Sequence, residues 1–311
     1  MKNFISIVTP TYNEEDNIEQ LCLKISSQMK NINDVDYEHI VIDNDSTDTT
    51  QEKLEKLAGI DKKLKVIFNL RNFGQIRSPF YGILQARGEA IILLASDFQD
   101  PVELIPELIL KWRMGHEAIM LQRNKVKKFI MLEYIKEFFY RFINKISEVN
   151  LTKNTTGSGI YDKKVIDRMR LINEPYPYFR GLVAELVKNI EVIKFNQPLR
   201  TKGNSKNNFF SLYDYAILGL IKHSKIPLRI MTIFGFGCSV LFLLIGIMFL
   251  TLKILFWDIF SLGVAPVILG IFGSAAIQIF LLGMIGEYVG YILTHVRNLP
   301  LVIEKKRINF Y

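Results

Sequence analysis

The sequence of 311 residues has few of the side chains that bind transition metals. Its two cysteines, Cys22 and Cys238, are far apart and stand in no metal-ligand spacing. It has four histidines, and none of them forms a His-x-x-x-His pair. These absences argue against a zinc hydrolase, and they predict free thiols in a reducing compartment for the soluble part of the chain.

Glycine-rich phosphate loops are missing as well. The segment around the end of the first apolar run, "VTPTYNEEDN", contains no glycine, whereas the dinucleotide-binding fingerprint requires GxGxxG at that place. Neither GxxxxGKS nor GxxxxGKT occurs, so a P-loop is excluded. A nucleotide would therefore be held by side chains at strand ends, together with a cation for its diphosphate.

Charge is nearly absent from residues 226–296, although the whole chain carries a net charge of +8. The segments 230–252 and 262–286 contain no charged side chain, and each exceeds the ~20 residues that a helix needs to cross a bilayer. Lysine and arginine flank their outer ends, so the positive-inside rule predicts two membrane spans with both termini in the cytoplasm. The spacing of Gly286 and Gly290 is typical of close helix packing or oligomerisation.

The first 125 residues alternate strand-like and helix-like segments. The pattern predicts strands at 4–10, 39–44, 64–70 and 90–96, and helices at 15–30, 46–59 and 76–87. This alternation predicts an α/β domain whose parallel sheet is covered by helices. Ligands of such sheets bind beyond the carboxyl ends of the strands, and polar clusters follow each predicted strand.

Residues 127–149 form an amphipathic segment with phenylalanine and isoleucine on one helical face and charged residues on the other. Lys125, Lys127 and Lys128 stand at its start. Two interpretations remain open. The segment is either a helix that packs on the protein core or a helix that lies on the membrane surface.

Acidic and amide side chains follow two of the predicted strands. Asp43 ends the second strand, where it is placed to contact a base or ribose or, alternatively, to cap the next helix. Asp97 and Gln99 follow the fourth strand. One carboxylate and one amide oxygen suffice for Mg²⁺ or Mn²⁺ if substrate phosphates and waters complete the shell. Asp100 is followed by Pro101, which also fits a helix start with the aspartate as its cap.

Four stretches of the sequence resemble those of a known family. "SIVTPTYNEEDNI", "IDNDSTDTT", "LRNFGQ" and "DFQDPVELIPEL" are similar, in order and spacing, to family 2 glycosyltransferases of the polyprenyl-phosphate hexosyltransferase branch. This branch includes dolichyl-phosphate mannose synthases and bacterial undecaprenyl-phosphate glucosyltransferases. The resemblance extends to the two predicted spans and to "GEYVGYI" at 286–292. It implies a GT-A fold with a Rossmann-like, mostly parallel sheet, and transfer of a sugar from a nucleotide sugar to a lipid phosphate with inversion.

The resemblance also implies roles for individual residues. Nucleotide binding is implied for Pro10, Tyr12, Asn13, Glu14, Asp43, Asn72, Gly74 and Asp97. Binding of Mg²⁺ or Mn²⁺ is implied for Asp97 and Gln99, binding of phosphate or acceptor for Arg123, Arg200 and Lys202, and catalysis for Asp97 and Ser158. The positive-inside bias and ordinary solvation are the alternative explanation of the basic residues.

The sequence departs from the family pattern at two positions. Ala95 stands where the family has the first aspartate of its DxD motif, and Ser158 stands where it usually has an aspartate. A hydroxyl acceptor needs a base when it attacks, whereas a phosphate monoester is largely dianionic at pH 7 because its second pKa is about 6. Ser158 therefore fits a phosphate acceptor better than a hydroxyl acceptor.

Together these features predict a membrane-anchored enzyme that moves a hexose from a nucleotide sugar, with UDP favoured, to polyprenyl phosphate. The predicted parts are a cytoplasmic catalytic domain at 1–225, two spans within 226–296 and a cytoplasmic tail at 297–311 of a multi-pass inner-membrane protein. No nucleic-acid partner is expected, and self-association is suggested by the glycine spacing. Two alternatives remain open: transfer to another lipid or a polysaccharide, and a non-catalytic relative that binds or scaffolds in a membrane complex.

Overall fold

The computed structural model of the chain describes residues 2–124, 152, 155–172, 174–198, 226–256 and 263–310. These residues divide into two compact units: one contains the residues up to 198 together with 298–310, and the other is formed by residues 226–297. The amphipathic segment predicted at 127–149 lies outside the described residues, as do Arg200 and Lys202.

An eight-stranded sheet forms the centre of the first unit. Its strands are β1 (Asn3–Thr11), β2 (Val35–Asp43), β3 (Leu64–Asn69), β4 (Ala90–Leu93), β5 (Ala118–Arg123), β6 (Thr155–Asp162), β7 (Glu191–Phe195) and β8 (Glu304–Ile308). Their order across the sheet is β7-β5-β6-β4-β1-β2-β3-β8. β4, β1, β2 and β3 are neighbours and run parallel, as the sequence predicts. β6 and β8 are antiparallel to the strands they pair with, so the sheet as a whole is mixed.

Helices cover both faces of this sheet. They are α1 (Ile18–Lys30), α2 (Thr50–Ile60), α3 (Gly74–Gln85), α4 (Ile105–Arg113), α5 (Lys163–Leu171) and α6 (Phe179–Leu186). One face is covered by α1 and α4, which bury Leu21 and Ile105 among others. The other is covered by α3, α5 and α6, which bury Phe80, Val165 and Leu182. Each such side chain stabilises the fold by roughly 1.5–3 kcal/mol through removal of its apolar surface from water.

β4 is shorter than the strand predicted at 90–96. Its ladder ends at Leu93, although the amide of Leu94 still donates to the carbonyl oxygen of Val8 at 3.1 Å. The chain then turns, and Phe98 adopts a left-handed conformation with φ 56°. Because the turn begins so early, the polar residues from Ser96 to Asp100 lie in a loop at the carboxyl edge of the sheet.

The residues after the second long helix return to the sheet, which the sequence does not signal. β8 pairs with β3 in antiparallel register, and Asn309 donates from Nδ2 to the carbonyl oxygens of Ala58 at 2.7 Å and Leu64 at 2.8 Å. The segment predicted as a tail at 297–311 thus contains an edge strand. The charged sequence "EKKRI" does not predict a strand, because an exposed edge strand does not need alternating apolar residues.

The second unit contains two long apolar helices, α7 (Ile226–Leu255) and α8 (Val264–Val296). Leu228–Leu255 and Gly270–Val296 are long and apolar enough to cross a membrane. The second candidate span therefore extends beyond the uncharged segment 262–286, stays within the predicted 226–296 and includes Glu287. Apart from the backbone of α8 itself, no atom of the described residues lies within 4 Å of the position that a β-carbon would take on Gly286 or Gly290. Self-association through these glycines stays a prediction.

Candidate active site

The loops that follow the parallel strands meet at one edge of the sheet. The first two loops are joined through Asn13, whose amide donates to Ser46 Oγ at 2.8 Å and whose Oδ1 accepts from the Thr47 amide at 2.8 Å. Asn13 has φ 53°, a conformation that asparagine adopts more readily than most residues. These bonds hold the first loop against the second.

Other predicted nucleotide-binding residues lie in or beside this first loop. Pro10 is still in β1, opposite Ile42, and Tyr12 follows the strand half-buried. Glu14 is buried: its amide donates to Thr50 Oγ1 at 3.0 Å, and its carboxylate accepts from Asn17 at 2.6 Å. The structure thus gives Glu14 a role in fixing the loop and the start of α1.

Asp43 ends β2 and is completely buried. Its carboxylate accepts from the Ser46 amide at 3.0 Å, from Ser46 Oγ at 2.5 Å and from Gln51 Nε2 at 2.8 Å. Burial raises the pKa of this carboxyl above its usual value, while the bonds from Ser46 and Gln51 act to lower it. The chain itself thus supplies three of the roughly four hydrogen bonds that a carboxylate can accept, and one acceptor site on Oδ1 is left for a ligand.

Asn44, which the sequence reasoning missed, connects the second and third loops. Its Nδ2 donates to Asn72 Oδ1 at 2.8 Å and to the Gly74 carbonyl oxygen at 3.3 Å. Its Oδ1 accepts from Asn69 Nδ2 at 3.0 Å and from the Phe73 amide at 2.9 Å. Two residues predicted to bind nucleotide, Asn72 and Gly74, are thus set in place by Asn44. The sequence does contain one indication of this role, because Asn44 directly follows Asp43 at the end of a predicted parallel strand.

Two guanidinium groups flank the ring of Phe73 beside this loop. The guanidinium carbon of Arg71 lies 4.4 Å from the ring centroid and that of Arg77 lies 5.9 Å from it. Arg77 donates from Nη2 to the Pro300 carbonyl oxygen at 2.8 Å. Burial, and then the charge of Arg71, lower the pKa of Arg77. The loop after β3 is therefore positively charged, which suits an anionic ligand.

Asp97 and Gln99 lie in the loop after β4, half-buried, with the Gln99 amide donating to Asp97 Oδ1 at 3.2 Å. The side-chain amide of Gln197 donates to Gln99 Oε1, a contact that the sequence did not predict. An amide oxygen has two lone pairs, so Gln99 retains one for another partner.

The oxygen atoms of this loop fit a hard divalent cation. Within the described part of the chain, no three His, Cys, Asp or Glu side chains come together as a metal cage. Asp97 and Gln99 offer one carboxylate and one amide oxygen, a set that Mg²⁺ accepts when waters and phosphates complete its coordination. Asp97 and Gln99 would thus supply only part of the coordination shell of such an ion.

Ser158 is bound to Asp100 rather than standing alone. Ser158 Oγ donates to Asp100 Oδ2 at 2.5 Å, and both residues are buried. One interpretation of the Asp-Pro sequence was that Asp100 caps a helix. This interpretation is wrong, because the short 3₁₀ turn at Val102–Leu104 has no side-chain cap. Burial raises the pKa of Asp100, whereas the bond from Ser158 and the charge of Arg123 act to lower it.

A bulge in β6 turns Ser158 towards Asp100. Met120 and Gln122 pair with Gly159 and Thr155, so three residues of β6 stand opposite one residue of β5. Gly157 and Gly159 have φ of 86° and 151°, and a β-carbon on Gly159 would collide with the Ile119 carbonyl group. Bulges of this kind re-aim side chains next to active sites.

The structure therefore brings the predicted residues together in two groups at one edge. Pro10, Tyr12, Asn13, Glu14, Asp43, Asn72 and Gly74 lie at the ends of β1, β2 and β3. Asp97 and Gln99 follow β4, and Arg123 ends β5. Ser158 lies within β6, next to Gly159, which pairs with the last residue of β4. Arg200 and Lys202 fall outside the described residues.

The sequence matches Glycosyl transferase family 2 over residues 6–170. An uncharacterised glycosyltransferase of Synechocystis sp. is 30% identical over 300 residues, which are 96% of this chain and 94% of the relative. The prophage-derived bactoprenol glucosyl transferase of Shigella flexneri is 28% identical over 303 residues, with 97% of each chain covered.

Among solved structures, glucosyl-3-phosphoglycerate synthase of Mycobacterium tuberculosis, in complex with Mn²⁺, uridine diphosphate and phosphoglyceric acid, is similar in fold. The TM-score is 0.50 at 17% identity, over 70% of this chain and 76% of that one. This likeness confirms the GT-A type of sheet, and the family match covers more than half of the chain. The protein is thus a glycosyltransferase that belongs to glycosyl transferase family 2.

Proposed function

We propose that the protein transfers a hexose from a UDP-sugar to polyprenyl phosphate at the cytoplasmic face of the inner membrane, with inversion at the anomeric carbon. One observation carries this proposal. A family 2 domain and two candidate membrane spans occur in one chain, and that chain aligns over 97% of its length with a relative named bactoprenol glucosyl transferase. An acceptor that is itself a membrane lipid explains why the catalytic domain and the spans are joined.

The donor fits along the carboxyl edge of the sheet. Neighbouring strands lie about 4.8 Å apart, so the loop after β3 is roughly 14 Å from the loop after β4. A nucleoside diphosphate placed along this edge would put its base by Asp43 and Asn72 and its diphosphate by Asp97. Arg71 and Arg77 add positive charge at the base end, where they favour a ligand rich in oxygen acceptors.

Asp97 and Gln99 would hold a magnesium or manganese ion. Such an ion, when bound, neutralises charge on the leaving diphosphate. Gln197 supports this arrangement because its amide group fixes the orientation of the Gln99 side chain. Ala95 contributes no side-chain oxygen, and the donor's own phosphates would supply the missing ligands.

The acceptor needs positive charge and correct placement more than it needs a base. A phosphate oxygen that already carries negative charge attacks the anomeric carbon, and the bond from that carbon to the diphosphate oxygen breaks. Ser158 has no carboxylate, and its proton is directed to Asp100. Arg123, at the end of β5, is a cation suited to holding the incoming phosphate.

A donor screen tests the proposal. The full-length protein in vesicles would be given each nucleotide sugar with undecaprenyl phosphate and Mn²⁺, and the lipid products would be identified by mass spectrometry. The expected product is a hexosyl polyprenyl phosphate formed with release of UDP. Binding of UDP without turnover of any donor would contradict the proposal and favour a non-catalytic relative.

A further inference from the structure

Two segments that carry exposed apolar side chains are bound together at the carboxyl end of β3. Leu70 directly follows β3, and its backbone amide donates to the carbonyl oxygen of Ile303 at 2.8 Å. Leu299 precedes Pro300, whose carbonyl oxygen accepts from Arg77 in the first turn of α3 at 2.8 Å. Leu70 is 54% exposed, and Leu299 and Ile303 are each 47% exposed. We call Leu70, Leu299 and Ile303 the β3 patch.

The position of the β3 patch in the chain distinguishes it from ordinary exposed apolar residues. Single side chains of this kind are common on protein surfaces, and the first unit has others on its helices or directly after them: Leu23, Ile60, Leu110, Met114 and Leu171. Leu299, however, is the third residue after Val296, where the second candidate span ends. Three residues reach at most roughly 10 Å, so Leu299 stays within reach of the interface of a bilayer that this span crosses.

Positive charge accompanies these apolar side chains. Arg71 follows Leu70 and is exposed, and its guanidinium carbon lies 4.4 Å from the centroid of the Phe73 ring. Among the described residues it has no hydrogen bond or ion pair. Glu304, the carboxylate next to Ile303, is already bound by Arg307 and by the Tyr81 hydroxyl. Leucine and isoleucine beside an unpaired arginine suit the interface of an anionic bilayer.

We propose that the β3 patch inserts its apolar side chains into the interface of an anionic lipid bilayer and seats the catalytic unit on the lipid surface. Arg71 then faces the lipid phosphate groups. The inference depends on the proposed membrane location, but it does not depend on the transfer reaction. Because Leu70 lies at the carboxyl edge of the sheet, this seating brings that edge to the surface at which a lipid acceptor presents its phosphate.

The depth of spin labels in the full-length protein tests the inference. Single cysteines are introduced as Leu70→Cys, Leu299→Cys and Ile303→Cys in a background with Cys22→Ala and Cys238→Ala, and each carries a nitroxide. The labelled proteins are inserted into vesicles of phosphatidylethanolamine and phosphatidylglycerol. Power saturation measures how far oxygen, which concentrates in lipid, and a nickel chelate, which stays in water, reach each label. The oxygen-to-nickel ratio should be high at all three positions.

Ile60→Cys and Leu171→Cys are matched controls, because these side chains are apolar and 86% and 87% exposed on helices α2 and α5. Their labels should show the low ratio of a water-exposed site. The same low ratio at the β3 patch would overturn the inference. Protection of the patch from both agents would also overturn it, because protein would then cover these residues, either another segment of the chain or a second copy. No donor or acceptor is present, so failure of the transfer reaction cannot change the result.

A substitution within the β3 patch provides a second test. Leu70→Asp removes one inserted side chain, and loss of one buried leucine should shift the equilibrium between the seated and free patch by about tenfold towards the free form. The oxygen-to-nickel ratio of a label at Leu299→Cys should therefore fall, whereas Leu171→Asp should leave it unchanged. Vesicles of phosphatidylcholine alone should also lower this ratio, since they lack the negative charge that attracts Arg71. An unchanged ratio in Leu70→Asp would contradict the insertion, and an unchanged ratio in phosphatidylcholine would contradict the role of Arg71.

Discussion

The side chain of Asn44 donates to Asn72 Oδ1 at 2.8 Å and thereby joins the loops after two neighbouring parallel strands. Asn44 is 6% exposed, and it also accepts from the backbone amide of Phe73. A single buried amide thus determines the conformation of the loop in which Asn72 and Gly74 are expected to meet the nucleotide.

Asn44→Ala should therefore reduce UDP affinity and also destabilise the fold. It leaves buried donors and acceptors unsatisfied, which costs about 1–3 kcal/mol for each group. Calorimetric titration with UDP and thermal unfolding measure the two effects. Asn33→Ala, at an exposed position before β2, is the control and should change neither. Native-like UDP affinity in Asn44→Ala would show that the third loop does not contact the nucleotide.

Asp97→Asn should abolish cation-dependent turnover and leave the protein folded. The variant keeps the size of the side chain but replaces the carboxylate, so Mn²⁺ affinity in the presence of UDP should fall by at least about tenfold. Electron paramagnetic resonance of free Mn²⁺ measures this directly. Asp16→Asn removes an exposed carboxylate from the loop after β1 and should have no such effect. Unchanged Mn²⁺ affinity in Asp97→Asn would refute the assigned role.

Gly159→Ala should be strongly destabilising and should disturb the Ser158 bulge. The new methyl group would collide with the backbone of Ile119, which cannot move away because it lies inside the sheet. A loss of more than about 2 kcal/mol is expected. Gly59→Ala is the matched control. Gly59 lies in α2, and a methyl group there would meet no described atom within 4 Å outside the backbone of the helix itself, so alanine should stabilise the protein by about 0.5–1 kcal/mol. Chemical unfolding of both variants measures the difference.

Asn309→Ala should lower the melting temperature of the first unit. Its side chain donates to the carbonyl oxygens of Ala58 and Leu64, so the variant removes the anchor that follows β8 and costs about 1–3 kcal/mol. Lys305→Ala, on the exposed side of β8, should cost far less. Equal melting temperatures for the two variants would mean that the C-terminal segment contributes little to the stability of the sheet.

Stability should decrease as the pH falls below 6.5, in part because of His39. Burial lowers the pKa of His39 to about 3, whereas the unfolded chain titrates near about 6.5. Between these values the unfolded state binds a proton that the folded state does not. The contribution of neutral His39 to the free energy of unfolding is therefore complete above pH 6.5. It decreases by about 1.4 kcal/mol for each pH unit as the pH falls from 6.5 towards 3. His39→Gln should show a shallower loss between pH 6.5 and 5 in thermal unfolding. An identical slope would contradict the assignment.

Several features of the protein follow from its sequence alone, because they depend on local patterns. Short apolar runs followed by polar clusters predicted the four parallel strands and the edge at which ligands bind, since buried parallel strands need continuous apolar sequence. Two long uncharged segments predicted the candidate spans. The apolar runs placed Asp43, Asp97 and Gln99 after strands of this edge, and the structure has them there. Their roles in binding stay predictions.

Other features depend on residues that are distant in the sequence, and only the folded chain decides them. The bond between Ser158 and Asp100 needs β6 to pass beside β4 with a two-glycine bulge, which no local pattern encodes. The contact of Gln197 with Gln99 and the return of β8 to β3 likewise join segments far apart along the chain. Long-range pairing is set by the packing of the whole sheet, so the partners of a buried polar group become visible only in three dimensions.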